Sequence, residues 1–545
     1  MHCPEPRLTA APQDTAELDR ITTLPNGIRV ATEALPGHFS GIGVYVDAGS
    51  RYENEALRGV SHIVDRLAFK STRASSGEHM MERLETLGGN IQCASSREAI
   101  MYQAGTFNSA VDTAVAVLAE TIRDPLITED EVQQQLETAD YEIGEIWGRP
   151  ELILPELVHM AAYKDNTLGN PLLCPKERLP HINRRVVEAY RQEFYKPERM
   201  VIAFAGVNHN EAVRLAEAHF GDMAKGTGPS LVHGGQTAAS ASAQQVFTAD
   251  HPTPTGAPPQ SATLLSKIPF FKNLSTSATS RASGTADLSL DFSPVDTSIP
   301  STYTGGFLSL PPIPPPLNPM LPRLSHLHLA FEGVAIGSPD IFALATLQTL
   351  LGGGGSFSAG GPGKGMYSRL YTNVLNQHSW VESCVSFNHA YTDSGLFGIS
   401  ASCVPSHVAQ LLEVMCRELK SLSDETGYAA LKATEVQRAK NQLRSSLLMN
   451  LESRMVELED LGRQVQVHGR KYSVKEVTQK IENVTVQDLR RVAKQVFGGQ
   501  VANAGGGSGA PTVVLQEGEM EGLKRPEFTW DDIQNRIARW KLGRR

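Results

Sequence analysis

The sequence predicts an α+β protein of two homologous domains, each built from a mixed, antiparallel-rich sheet with helices packed on one face. Two observations predict this class. One order of strands and helices occurs in the first half of the 545-residue chain and again, with similar spacing, in the second. Between the halves lies a segment rich in Ser, Thr, Ala, Pro and Gly, which buries too little apolar surface to form a core.

The first half supplies the order strand, helix, strand, helix, helix. Alternating apolar residues predict strands at 41–46 and 99–106, with a helix between them. A helical apolar pattern follows at 111–123, and residues 128–132 open another helix.

The second half repeats this order. Strands are predicted at 326–331 and 395–400, a helix ends at Leu350 between them, a further helix covers 407–422, and residues 434–438 open a long one. Generic α/β patterning could produce the same order by coincidence. We interpret it as a gene duplication.

The predicted domain organisation follows from these patterns. It comprises an unassigned N-terminus at 1–20, an N-terminal domain at 21–225, a low-complexity insert at 226–300, a C-terminal domain at 301–500 and a C-terminal extension at 501–545.

Composition excludes several function classes. A formal charge of −9 argues against nucleic acid and is compatible with a basic peptide ligand. The six cysteines show no C-x-x-C spacing, so neither a disulfide scaffold nor a zinc cluster is expected. No apolar run reaches the length of a membrane span, and the first residues have neither secretory nor transit-peptide character, so we expect any organellar targeting signal to be missing or atypical.

A dense glycine run from Gly352 to Gly365 is the most informative local feature. Glycine backbone adopts conformations and close contacts that other residues cannot. The spacing fits neither a phosphate-binding P-loop nor a dinucleotide fingerprint. Because the run lies between two ordered-looking segments, a loop that contacts a polypeptide ligand explains it better than a linker does.

A second motif concerns metal chemistry. If residues 61–72 form a helix, His62, Asp65 and Arg66 share one face with the spacing of H-x-x-E-H, the inverted zinc-peptidase motif. Arginine offers no lone pair and is always charged, so Arg66 repels the cation that a second histidine would bind. Asp65 is one methylene shorter than the glutamate base. Glu142 stands where a third ligand is expected downstream, and a salt bridge between Arg66 and Glu142 is our hypothesis for what replaces the metal.

The chain resembles the mitochondrial processing peptidases, a branch of the pitrilysin/insulinase-like family of inverted zinc peptidases. The resemblance covers both halves. It leaves out the first twenty or so residues, the insert and the extreme C-terminal tail. The segments that carry it most clearly are 90–93, 96–98, 303–306, 330–333, 347–351, 367–376 and 459–464, together with the glycine run.

The resemblance implies a division of labour between two subunits. In that family the beta subunit holds zinc in an intact motif, whereas the alpha subunit has lost the metal and uses its glycine-rich loop to recognise arginine-containing presequences. The degenerate motif places this chain on the alpha side. The resemblance implies that this chain has no catalytic residue and no cofactor. It also implies a zinc-bearing beta subunit as the partner and presequence peptides as the ligands. The substrate-binding residues implied are Gly352, Gly353, Gly354, Gly355, Ser356, Phe357, Gly360, Gly361, Gly363, Lys364 and Gly365.

Two other functions stay open at this point. Related core subunits scaffold the respiratory cytochrome bc1 complex without peptidase activity, which would associate the chain with the inner membrane rather than leave it free in the mitochondrial matrix. The full glycine run disfavours that interpretation. An independently active peptidase is disfavoured by Arg66.

Overall fold

The computed structural model describes residues 19–88, 90–164, 166–226, 295–315, 318, 320–355, 366–519 and 528–544. Its strands are β1 Asp19–Thr23, β2 Arg29–Glu33, β3 Phe39–Val46, β4 Ile91–Ser95, β5 Ile100–Phe107, β6 Met200–Ala205, β7 Gly306–Ile313, β8 Ser325–Gly333, β9 Gly353–Gly355, β10 Val381–Ala390, β11 Gly395–Cys403 and β12 Thr512–Gly518. Its α-helices are α1 Val60–Arg66, α2 Gly77–Thr86, α3 Val111–Arg123, α4 Glu129–Trp147, α5 Pro150–Tyr163, α6 Arg184–Phe194, α7 His209–Phe220, α8 Ile341–Leu351, α9 Val408–Ser421, α10 Ala433–Leu451, α11 Arg454–His468, α12 Val474–Asn483, α13 Val486–Phe497 and α14 Trp530–Arg539.

The strands form two six-stranded mixed sheets that share the order of five strands, and the sixth strand, β1 or β9, lies at opposite edges of the two sheets. The first has the order β1-β2-β6-β3-β5-β4 and the second the order β7-β12-β8-β11-β10-β9. In each, one pair is parallel, β2 with β6 and β7 with β12, and the other pairs are antiparallel. Two separate apolar cores lie between these sheets and their helices. The predicted class, two duplicated α+β domains, is confirmed.

The predicted elements occur close to their expected positions, with two differences. The helix expected over 61–72 ends at Arg66 because the chain turns there, and Phe69 adopts a φ of 58°. The region expected as a C-terminal extension contains β12, which lies between β7 and β8 inside the second sheet. The second domain therefore takes a central strand from near the end of the chain.

Each half lends one helix to the other. Helix α11, from the second half, packs on the free face of the first sheet, where Tyr45 Oη donates to the Leu458 carbonyl at 2.9 Å. Helix α5, from the first half, packs on the corresponding face of the second sheet, and Tyr163 Oη donates to the Gly395 carbonyl at 2.8 Å. This exchange couples the two domains through buried apolar contacts.

The insert leaves and rejoins the fold at one turn. The Gly226 amide donates to Glu198 Oε2 at 3.2 Å, and the Arg199 guanidinium donates to Thr297 Oγ1 at 3.3 Å. Glu198 and Arg199 belong to the same 3₁₀ turn, Pro197–Arg199. The two ends of the insert are therefore held beside each other whatever lies between them.

Deleting residues 236–293 is accordingly expected to leave the melting temperature within a few degrees of the parent value. Closure entropy depends only logarithmically on loop length, so this deletion changes it by on the order of 1–2 kcal/mol. Calorimetry of the deletion variant tests this, with a Gly/Ser replacement of equal length as the control. A fall of about 10 °C or more would mean that the insert packs against the domains.

Among the described residues, no helix is both long enough and apolar enough to cross a membrane.

Candidate functional site

Helices α1 and α4 bring the remnants of the metal motif together. Helix α1 begins after Gly59, where the buried Glu53 carboxylate accepts hydrogen bonds from the Gly59 and Ser61 amides, both at 2.7 Å. Helix α4 begins with a capping box in which Thr128 and Glu131 bond each other's backbone amides. These fixed starts set the rotation of both helices, so His62 and Arg66 face Glu142.

The predicted salt bridge is present. Arg66 Nη2 donates to Glu142 Oε1 at 2.8 Å, and His62 Nε2 lies 3.5 Å from Glu142 Oε2. The Glu142 carboxylate thus receives the guanidinium on one oxygen and faces the His62 ring with the other. The positive charge of Arg66 neutralises the Glu142 carboxylate and links α1 to α4, as a metal ion would.

His62 is held in a protonation state that does not suit a metal. Its Nδ1 accepts a hydrogen bond from the Cys174 backbone amide at 3.3 Å. A neutral ring that accepts at Nδ1 carries its proton on Nε2, the nitrogen that faces Glu142. Burial lowers the pKa of His62, Glu142 opposes this shift and Arg66 adds to it, so the ring is neutral. Metal-binding histidines instead donate from the nitrogen that faces away from the metal.

Asp65 points away from the remnant site. Its Oδ2 accepts from the Ser95 amide at 2.8 Å and from Ser95 Oγ at 2.9 Å. Ser95 is the last residue of β4, at the edge of the first sheet. The shorter carboxylate therefore anchors α1 to the sheet and is not placed to act as a general base.

The residues of this site do not fit a zinc ion. A zinc site needs three protein ligands, and here one position holds a guanidinium and another holds a protonated nitrogen. Across the part of the chain that the structure describes, no group of three or more His, Cys, Asp or Glu side chains is arranged to hold a metal. Cys174 and Ser95, which fix His62 and Asp65, were not foreseen, because both act across long sequence separations and neither belongs to the motif.

Restoring the motif with Arg66→His and Asp65→Glu is expected to produce only weak zinc binding and little peptidase activity. The double variant regains the ligand types, but the Cys174 amide still requires the Nε2–H form of His62. Loss of such orienting partners lowers metal affinity roughly 10–100-fold.

Zinc titration of the purified double variant, with Arg66→His alone as the matched control, measures this. One tightly held zinc per double-variant chain, together with efficient peptide cleavage, would show that the site is far more intact than its hydrogen bonds indicate.

The glycine run begins as an ordered strand rather than as a loop. Helix α8 ends at Leu351, and Gly352 turns the chain with a φ of 57°. Gly353 follows with a φ of 107° and starts β9, the edge strand that pairs antiparallel with β10. The Gly352 carbonyl accepts from the Ser386 amide at 2.9 Å, which fixes this turn to β10.

One hydrogen bond joins the two ends of the glycine segment, residues 352–365. The Gly353 amide donates to Ser368 Oγ at 3.2 Å, and Ser368 lies just beyond the run. An added Cβ would approach Cys384 O to 2.0 Å at Gly353, but at Gly355 it would meet only Glu382 O, at 3.9 Å. Gly352 and Gly353 are therefore needed by the fold itself, whereas Gly355 is not.

The rest of the predicted binding segment lies outside the described residues. This applies to Ser356, Phe357, Gly360, Gly361, Gly363, Lys364 and Gly365. Just after the glycine run, the Tyr367 side chain is 74% exposed. The guanidinium carbon of Arg438, on α10, lies 5.8 Å from the centre of its ring. Arg369, by contrast, is buried and bonds Glu435.

Fold and site together define a class: a duplicated inverted-zinc-peptidase scaffold whose metal position holds an arginine. The model described as insulinase (peptidase family M16) matches residues 29–176, and that described as the peptidase M16 inactive domain matches residues 181–276 and 300–443.

The chain is 62% identical to the mitochondrial-processing peptidase subunit alpha of Neurospora crassa, over 98% of this chain and 92% of that protein. The probable subunit of the same name from Schizosaccharomyces pombe is 40% identical, over 91% of this chain and 85% of that protein. The human mitochondrial-processing peptidase subunit alpha is 35% identical, over 89% of this chain and 81% of that protein. The chain therefore belongs to the M16 peptidase family, among the mitochondrial-processing peptidase alpha subunits, and the predicted resemblance is confirmed.

Among solved structures, a chain of complex III2 from Candida albicans with Inz-5 bound matches with a TM-score of 0.68 and 17% identity, covering 95% of this chain and 99% of that one. At this identity the likeness shows the fold alone.

Proposed function

We propose that this chain is the non-catalytic, substrate-recognition subunit of the mitochondrial processing peptidase. It binds N-terminal presequences of imported precursors so that a zinc-bearing beta subunit cleaves them in the matrix. The observation that carries the proposal is the Arg66–Glu142 ion pair, at 2.8 Å, in the position of the metal. Chemistry that needs a metal must then come from a partner, while the peptidase scaffold remains for binding.

The glycine segment supports the recognition role. A site for many unrelated presequences needs contacts that do not depend on one side-chain sequence, and a glycine backbone offers such contacts. The strand β9 places the start of this segment at the edge of the second sheet, where backbone groups are positioned to meet an extended peptide. The chain's formal charge of −9 is compatible with a basic ligand.

Reconstitution tests the proposal. The purified chain, a zinc-bearing beta-type subunit and their mixture are each assayed for zinc content and for cleavage of a fluorogenic presequence peptide. We expect zinc and cleavage to depend on the beta-type subunit, and efficient cleavage to require both chains. Cleavage by this chain alone, or full activity of the beta-type subunit without it, would refute the proposal.

A second candidate is a structural core role in respiratory complex III. The observation that favours it is the shared fold with a chain of complex III2, matched along nearly the full length of both. Membrane solubilisation followed by affinity purification separates the two functions. Stoichiometric copurification with haem-containing subunits would favour the core role, whereas recovery with a zinc-bearing partner alone would favour the processing role.

A further inference from the structure

Four histidines lie where α5, from the first half of the chain, packs on the second sheet. His159 belongs to α5, His326 and His328 belong to β8, and His389 belongs to β10. Because side chains alternate between the two faces of a strand, β8 places its two histidines on the face of Ala330, which contacts the α5 cluster. We call these four residues the histidine seam. It collects a quarter of the 16 histidines of the chain at one contact between the halves.

The rings of the seam follow one another in a row. The His159 and His389 ring centres are 5.0 Å apart, those of His389 and Phe387 are 5.5 Å apart, and those of Phe387 and His328 are 6.3 Å apart. His159 is 3% exposed and His328 is 4% exposed, whereas His389 is half-buried. A proton taken up by His159 or His328 would therefore place a charge inside the contact between the two halves.

Hydrogen bonds hold the His159 ring in its neutral form. Its Nδ1 lies 2.9 Å from the Pro155 carbonyl, which can only accept, so Nδ1 carries the proton. The Tyr391 hydroxyl then donates to His159 Nε2 at 2.7 Å. If the ring were doubly protonated, both nitrogens would be donors, and the Tyr391 O–H would lose its acceptor.

The carboxylates at the His159 end of the seam are engaged by other groups. Arg97, in the turn between β4 and β5, pairs with Glu156 of α5 at 2.6 Å. The neighbouring Glu98 pairs with Arg51. A charged His159 would thus add a second cation beside Arg97, in a place where the acidic partners are already used.

The pKa values of these rings reflect this environment. Burial lowers the pKa of His159 well below its ordinary value, and the charges of Arg97 and His389 add to the shift. Burial, together with Arg97, lowers the pKa of His389 to about 4. Both imidazoles are therefore neutral while α5 lies on the sheet.

The other end of the seam is also unsuited to a charge. His328 Nε2 lies 3.0 Å from Ser400 Oγ, and its buried Nδ1 has no hydrogen-bond partner among the described residues. Burial lowers the pKa of His328 to about 3, and the neighbouring His326 adds to the shift. Burial lowers the pKa of His326 as well, but Glu151 at the start of α5 opposes this shift. His326 is therefore not counted among the proton-sensitive rings.

Proton uptake consequently favours separation of α5 from the sheet. A histidine in water has a pKa of about 6.5, so each ring exposed by separation binds a proton below that pH, whereas the closed seam binds protons only in stronger acid. The contribution of these rings is fully present above about pH 7 and is lost as the pH falls through 6.5. The equilibrium constant for opening should rise about tenfold for each ring between pH 7.5 and pH 5.5.

We propose that the histidine seam is an acid-sensitive joint between the two halves of the chain. Helix α5 stays on the second sheet while His159, His328 and His389 are neutral, and it leaves the sheet when they take up protons. The contact of α11 with the first sheet contains none of these rings, so the opening is confined to α5. The inference goes beyond the proposed function, because it concerns how the halves hold together whatever the chain binds.

Amide hydrogen exchange of the full chain at pH 7.5 and pH 5.5, corrected for the intrinsic pH dependence of exchange, tests the proposal. We expect the opening constant of residues 154–163 to rise at least about 100-fold at the lower pH, while α3 and α9 keep their protection. His389→Phe keeps a ring against Phe387 and His159 but cannot titrate, so it should reduce this rise about tenfold. His79→Gln, at an exposed position of α2, is the matched control and should leave the rise unchanged.

Three results would overturn the inference. The first is equal protection of α5 at the two pH values. The second is a loss of protection in α3 and α9 in step with α5, which would mean acid unfolding of the whole chain. The third is an undiminished rise in His389→Phe. If that variant does not fold, His328→Gln, whose amide can still reach Ser400, takes its place with the same expectation.

Discussion

The substitution Arg51→Met is expected to destabilise the protein by about 3 kcal/mol, because it leaves two partly buried carboxylates without their buried cation. The Arg51 side chain is 4% exposed and joins the two halves of the chain. It pairs with Glu98 of the first half and with Asp393 of the second, at 2.7 Å, and it donates to Ser301 Oγ at 3.1 Å. The loss should appear as a lower denaturation midpoint in urea.

Methionine replaces the apolar stem of the arginine and lacks the guanidinium, so the measurement reports mainly on the charge and its hydrogen bonds. The control is Arg214→Met, which removes an exposed i,i+3 pair with Glu211 and should leave the midpoint unchanged. Equal midpoints for Arg51→Met and the parent protein would mean that the interdomain ion cluster contributes nothing to stability.

The substitution Gly353→Ala is expected to cost roughly 1–3 kcal/mol and to disrupt β9. Its Cβ would lie 2.0 Å from Cys384 O, on the backbone of the neighbouring strand, and the φ of 107° is strained for any L side chain. Because Gly353 also bonds Ser368, the substitution should loosen both ends of the glycine segment. We therefore expect weaker presequence binding together with the lower stability.

Gly355→Ala provides the matched control in the same strand. Its Cβ would meet only Glu382 O at 3.9 Å, so stability should change by less than about 0.5 kcal/mol. Amide hydrogen exchange over β9 and β10 distinguishes the two variants. Equal protection of this strand pair in Gly353→Ala and Gly355→Ala would contradict the account of the turn.

Local patterns were sufficient to predict much of this architecture. The helix over 111–123 and the helix opened by Thr128 follow from periodicity and capping, which act within a few residues. The Arg66–Glu142 pair was predictable as well, since the motif spacing fixes which residues of two helices face each other.

Contacts between distant segments were not predictable in the same way. The exchange of α5 and α11, the position of β12 inside the second sheet and the Cys174 amide on His62 each join residues more than a hundred positions apart. Nothing in the local composition of these segments marks such partners. The strand β9 was missed for another reason: a run of glycines has low intrinsic strand propensity, and pairing with β10 overrides it.

We propose that the glycine segment of this chain gives the assembled complex its affinity for presequences. Equilibrium binding of a fluorescent presequence peptide, before and after deletion of residues 356–361, tests it most directly, because this deletion spares Gly353 and its bond to Ser368. We expect a loss of affinity of about tenfold or more with the partner subunit still bound. Unchanged affinity and unchanged turnover in the deleted complex would contradict it.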